Sequence, residues 1–163
     1  MLRTALFLIA LAACTQSPQA RIEGPRPVQP TPAQSVSDSV VAAVLFEIAT
    51  RGLPDFSPRH TVFVQRNGDI VSSASLPVLD SVEFVLLDSA GVQNLANQIG
   101  SVNVVMVDRP IVYDDTAHAG ASNRVVWRQE RIGRMISTSG CSFRARRTNA
   151  HWQVDSTLGC LIS

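Results

Sequence analysis

The chain has 163 residues, 14 basic and 13 acidic side chains, a formal net charge of +1 and 45% apolar residues, enough for one domain with a real core. All of its cations are Arg, so Schiff-base catalysis, Ser-Lys nucleophilic pairs and Walker-type phosphate binding, which need Lys, are excluded. The near-zero net charge gives no reason to expect a nucleic-acid partner.

The N-terminus has the pattern of an export signal. Arg3 supplies the positive flank, Ala5–Leu11 an apolar run, and small residues follow. That run falls short of the roughly 20 apolar residues needed to span a bilayer. The four residues Leu11-Ala12-Ala13-Cys14 close it. This stretch resembles the lipobox of bacterial lipoproteins. The resemblance implies a signal peptide over residues 1–13, diacylglycerol on the Cys14 thiol, cleavage before Cys14 and N-acylation afterwards. Several acyl chains hold a protein on a membrane where one is marginal. The following residue is Thr15, not Asp, which by analogy with enterobacterial sorting favours the outer membrane over the inner one.

Residues 14–35 then form the expected tether. Pro18, Pro25, Pro27, Pro30 and Pro32 lie among Gln, Ser, Thr and Gly, a composition that buries too little to offset its ordering entropy. As polyproline II such a segment would reach at most about 65 Å.

Residues 36–163 make up the expected single domain. Ser37 or Asp38 is placed to cap a first helix carrying Val40, Val41, Val44, Leu45 and Ile48 at helical spacing, ended by Gly52 and Pro54. Thr61–Gln65 has strand composition, and Asn67-Gly68 signals a hairpin returning through Ile70-Val71. Val82–Leu87, apolar on both faces, is expected as a central strand. A second helix follows, capped at Asp88 or Ser89, striped by Val92, Leu95, Ala96 and Ile99, and closed by Gly100. From residue 101 the pattern is β throughout. Strands are expected at 102–107, 111–113, 123–128, 132–138, 142–147 and 152–155, with turns at Asp114-Asp115, Gln129-Glu130, Ser139-Gly140 and Thr148-Asn149. Pro110 marks a bulge or an edge.

Short connections between successive strands predict an antiparallel meander. The fold class is therefore α+β, with one or two helices packed on one face of a curved antiparallel sheet. The element order is loosely similar to the NTF2-like (cystatin-like) cone fold, from which the early Asn-Gly hairpin departs.

If Cys14 is acylated in an oxidising compartment, Cys141 and Cys160 are left as an even pair, and one disulfide is expected. The alternative is two separate thiols. A last hairpin turning at residues 149–151 would set the two cysteines nearly opposite each other, where the bond closes a loop of roughly 20 residues and contributes about 3 kcal/mol.

Charge is uneven. Residues 36–123 carry 4 Arg and 10 acids, whereas 124–163 carry 7 Arg and 2 acids. Strand alternation puts Arg124 with Arg128, and Arg144 with Arg146, on outward faces, a surface for an envelope protein or an anionic polymer. The competing reading is a solvated face partly paired with the chain's own acids. Asp108, Tyr113, Asp115 and His118 form the one cluster worth testing for acid-base chemistry, although polar turns explain the same residues. His60, His118 and His151 lack metal-ligand spacing, Asp114-Asp115 lacks a calcium-loop pattern, and no nucleophile elbow or phosphate loop occurs, so no metal or cofactor is expected. Function is thus expected to be that of a lipid-anchored cell-envelope binding or maintenance domain, non-enzymatic. The alternative is an NTF2-like small-ligand carrier or enzyme with a pocket between helices and sheet.

Overall fold

A computed structural model describes residues 32–129 and 138–162. Cys14, the signal and the tether up to residue 31 lie outside the described residues, as does the expected strand at 132–138 except for Thr138.

The first helix, α1, spans Pro32–Arg51 and begins before the expected cap. Proline suits a first helical turn, because its φ is preset and the missing N–H would be unpaired there anyway. Asp38 therefore lies inside the helix, and its role is tertiary. Its Oδ1 accepts hydrogen bonds from the Ser72 hydroxyl at 3.0 Å and from the Ser75 hydroxyl. Val40, Val41, Val44, Leu45 and Ile48 are wholly buried, the stripe the sequence predicts. At the C-terminus the Gly52 N–H donates to the Ile48 carbonyl at 2.8 Å with φ +80°. A β-carbon on Gly52 would stand 2.5 Å from the Phe56 carbonyl oxygen, so only glycine fits.

Strand β1 (Thr61–Gln65) forms as expected, but the hairpin after it does not. Asn67-Gly68 turns, with Gly68 at φ +57° and the Ile70 N–H donating to the Asn67 carbonyl. The chain then enters a short 3₁₀ turn, Ser73–Ser75. Ser72 Oγ accepts from the Ala74 N–H while Ser75 Oγ accepts from the Ser72 N–H. These local bonds, anchored by Asp38, displace the ladder that a returning strand would need. β1 instead pairs in parallel with β2 (Glu83–Leu87) and with β3 (Ser101–Val107). β2 is thus an edge strand rather than a central one, since the sheet order is β2-β1-β3-β5-β6-β7. It is apolar because both of its faces are still partly covered. Between β2 and β3 runs α2 (Ser89–Ile99), the helical crossover that parallel strands require. Asp88 caps it, accepting from the Gly91 N–H at 2.7 Å, and Gly100 closes it at φ +95°.

The meander follows. β4 (Ile111–Tyr113) and β5 (Thr116–Trp127) flank an Asp114-Asp115 turn, and Pro110 separates β3 from β4. β5 starts well before residue 123. Ala117, Ala119 and Ala121 alternate inward, but alanine carries little strand signal. β6 (Thr138–Thr148) and β7 (His151–Ile162) complete the sheet. Ser139-Gly140, expected as a turn, lies within β6. A β-carbon on Gly140 would sit 3.2 Å from the Ala121 carbonyl oxygen, so the glycine serves a close strand approach. The β6–β7 turn is Asn149-Ala150, both at positive φ (51° and 66°), as a two-residue type I′ turn requires.

The sheet has seven strands and is mixed, parallel at β2-β1-β3 and antiparallel from there on. The fold is α+β, but the helices cover opposite faces rather than one. Val62, Val64, Val105, Val107, Ala119, Phe143 and Ala145 pack with α1, while Phe63, Val102, Val104 and Val126 pack with Val92 and Ala96 of α2. The cause is the crossover, which must pass over the face that α1 leaves free.

Cys141 and Cys160 are directly opposed and disulfide-bonded, with a Cα–Cα distance of 4.1 Å. Two β7 residues lack a partner between the turn and this bond. Asp155 lies between the pairs Ala145–Val154 and Arg144–Ser156, and Leu158 between Phe143–Thr157 and Ser142–Gly159. Each bulge shifts the register by one. Together they shift it by two and restore the face on which Cys160 must point.

Candidate functional site

α2 covers its face of the sheet only over β1–β3 and the adjoining end of β5. No other described helix covers the rest of that face, across β4–β7, and there Asp108 and His118 line one groove. The Asp108 N–H continues the ladder to the Gly120 carbonyl at 2.8 Å, and its carboxylate lies over Gly120, where a β-carbon would be 2.3 Å from Oδ2. Gly120 faces Ser142, and Ser142 faces Gly159, so the sheet here has a floor almost free of side chains. His118 faces Ile111 on one side and Arg144 on the other. Its ring meets Tyr113 edge-on, centroids 6.4 Å apart and planes at 88°.

Asp108, His118 and Ser142 line an open groove of about 660 Å³ with Ile111, Leu158 and Leu161. Ser142 and Gly120 have no sequence signal of their own; only the strand register reveals them. Asp115 does not join the site. It lies in the β4–β5 turn, its carbonyl accepting from the Arg147 N–H. Among the described residues no hydrogen bond links Asp108, His118 and Ser142 to one another. Among the described residues the imidazole meets Tyr113 and has no hydrogen-bonded partner.

The four arginines do not form one surface. Arg124, Arg144 and Arg146 share the face opposite α1 by strand alternation. Arg124 faces Thr138 whereas Arg144 faces His118, about 20 Å away at roughly 3.3 Å per residue. Arg124 donates from Nη2 to Gln65 Oε1 at 2.9 Å, and Gln65 in turn donates to Ser89 Oγ, so it is tied to the start of α2. Arg128 reaches the Gln98 carbonyl at 3.5 Å. Arg144 and Arg146 share Asp155, with Nε–O distances of 2.8 and 3.5 Å. The hydrogen bond from Arg144 holds the Asp155 carboxyl below its ordinary range, and the charges of Arg144 and Arg146 act in the same direction. The acid that answers these arginines comes from the Arg-rich half itself, and alternation within β6 could not reveal it.

A second groove, about 570 Å³, runs between α1 and β7 and is lined by Ala42, Ala43, Phe46, Trp152 and Val154. Phe46 is 47% exposed there, with Glu47 beside it paired to Arg51 at 2.7 Å. This groove, and not the one holding Asp108 and His118, lies between a helix and the sheet.

Among the described residues no group of three or more His, Cys, Asp or Glu side chains is placed to hold a metal ion. No helix among them is long and apolar enough to cross a membrane. No protein family, curated protein or solved structure matches the chain.

Proposed function

We propose that the protein is a lipid-anchored domain of the bacterial cell envelope that binds a partner rather than turning over a substrate. The observation that carries this reading is the pairing of Cys141 with Cys160. A bond between two of the three cysteines suits an exported chain, and it leaves Cys14 as the thiol available for acylation within Leu11-Ala12-Ala13-Cys14. Arg144 and Arg146 already face Asp155, which leaves an anionic polymer little to engage there and favours an envelope protein as the partner.

Mass spectrometry of the mature N-terminus tests the anchor. The expected N-terminal peptide starts at Cys14 and carries the mass of its acyl chains, and the protein leaves the membrane fraction only with detergent. Cys14→Ala should lose both properties. An unmodified N-terminus at any residue would overturn the proposal.

A further inference from the structure

We propose that the Cys141–Cys160 bond is a reducible latch on β7, opened by a dithiol reductant attacking at Cys160. The two cysteines are unequally placed. Cys141 is only 6% exposed and belongs to the core beneath α1. Cys160 lies on the outermost strand and is exposed. A reductant therefore meets the bond from the Cys160 side.

What the bond holds is also distinct from the core. Beyond the bulge at Asp155, β7 loses its side-chain attachments. From Thr157 to Ile162 no side chain other than Cys160 makes a hydrogen bond or ion pair to a described residue. Leu158, Leu161 and Ile162 are 51%, 81% and 64% exposed, so apolar packing contributes little. The ladder itself is interrupted again at Leu158. Among the described residues, backbone bonds along one side of an edge strand and one disulfide keep this end in place, and such segments open locally without unfolding the rest.

The chemistry is thiol–disulfide exchange. A thiolate of the reductant attacks Sγ of Cys160. The sulfur–sulfur bond breaks, its electron pair leaves on Cys141 Sγ, and that sulfur takes a proton. The reductant's second thiolate then attacks its own sulfur in the mixed disulfide and expels Cys160, which is protonated in turn. The cysteine pair gains two electrons and two protons, and the dithiol becomes a disulfide. Cys141 stays in the core, while the end of β7 is free to leave β6 and uncover Ser139–Ser142 as a new sheet edge.

Hydrogen exchange on the folded domain, with and without millimolar dithiothreitol, tests the latch independently of the lipid anchor. Thiol labelling with N-ethylmaleimide reports the reduction. Two new labels, on Cys141 and Cys160, should appear without denaturant, and amides at 157–162, with those of 139–142 that bond to β7, should lose protection by roughly tenfold or more, while α1 and β1–β3 keep theirs. Cys160→Ser should reproduce that pattern without reductant. The proposal fails if the bond resists dithiothreitol until urea unfolds the domain. It fails equally if reduction changes no amide, or if reduction or Cys160→Ser removes protection throughout.

Discussion

The missing side chain at Gly120 is what lets the Asp108 carboxylate lie across β5. Gly120→Ala would place a methyl group 2.3 Å from Oδ2, so the short Asp108 side chain must move. Urea denaturation should show a loss of about 1–3 kcal/mol, the usual cost of overpacking. Asp108→Ala together with Gly120→Ala should recover most of that loss, since the clash has gone. Strict additivity of the two changes would refute the contact. Asp108, Tyr113 and His118 could be singled out from sequence because titratable residues announce themselves. Their setting could not, because Gly120, Ser142 and Gly159 come from three strands and only register joins them. The same holds for Asp155, whose partners Arg144 and Arg146 lie across a hairpin.

At the scale of elements, two turns with similar signals behave differently. Asn67-Gly68 has the stronger sequence signal but yields no hairpin, because Ser72 and Ser75 satisfy one another and Asp38. Asn149-Ala150 has the weaker one and turns the longest hairpin, because the flanking strands fix it. Ala150 is held there at φ +66°, a region costing an L-residue about 1–2 kcal/mol. Ala150→Gly should therefore raise stability, by roughly 0.5–1 kcal/mol once the glycine's added unfolded-state freedom is subtracted. Thermal melts of the two proteins check this, and an unchanged or lower midpoint would argue against the strain. Helix α2 and strand β3 were legible almost to the residue because periodicity and caps agree. The early part of β5 was not, because its inward residues are alanines.

For the molecule as a whole, the α+β class and the closing meander follow from the order of elements. The parallel start does not. Local pattern cannot distinguish a strand that pairs with the next strand from one that waits for a crossover, and β1 does the latter. It becomes an interior strand only after α2 has carried the chain over the opposite face. The α1 side remains the principal core. Leu45→Ala, at a wholly buried position, should lower stability by about 2–5 kcal/mol in urea unfolding. A change well below that range would mean that α1 is not essential to the sheet.

The paired bulges also constrain chain length. Because Asp155 and Leu158 each advance β7 by one residue relative to β6, straightening either bulge at constant chain length turns every later side chain to the opposite face and aims Cys160 away from Cys141. Straightening both keeps the facing but sets Leu158 opposite Cys141. Deleting a bulged residue is different, because the pairs on either side close up and Cys160 still meets Cys141; a change of chain length between Trp152 and Cys160 therefore keeps the disulfide only where it adds or removes a bulge.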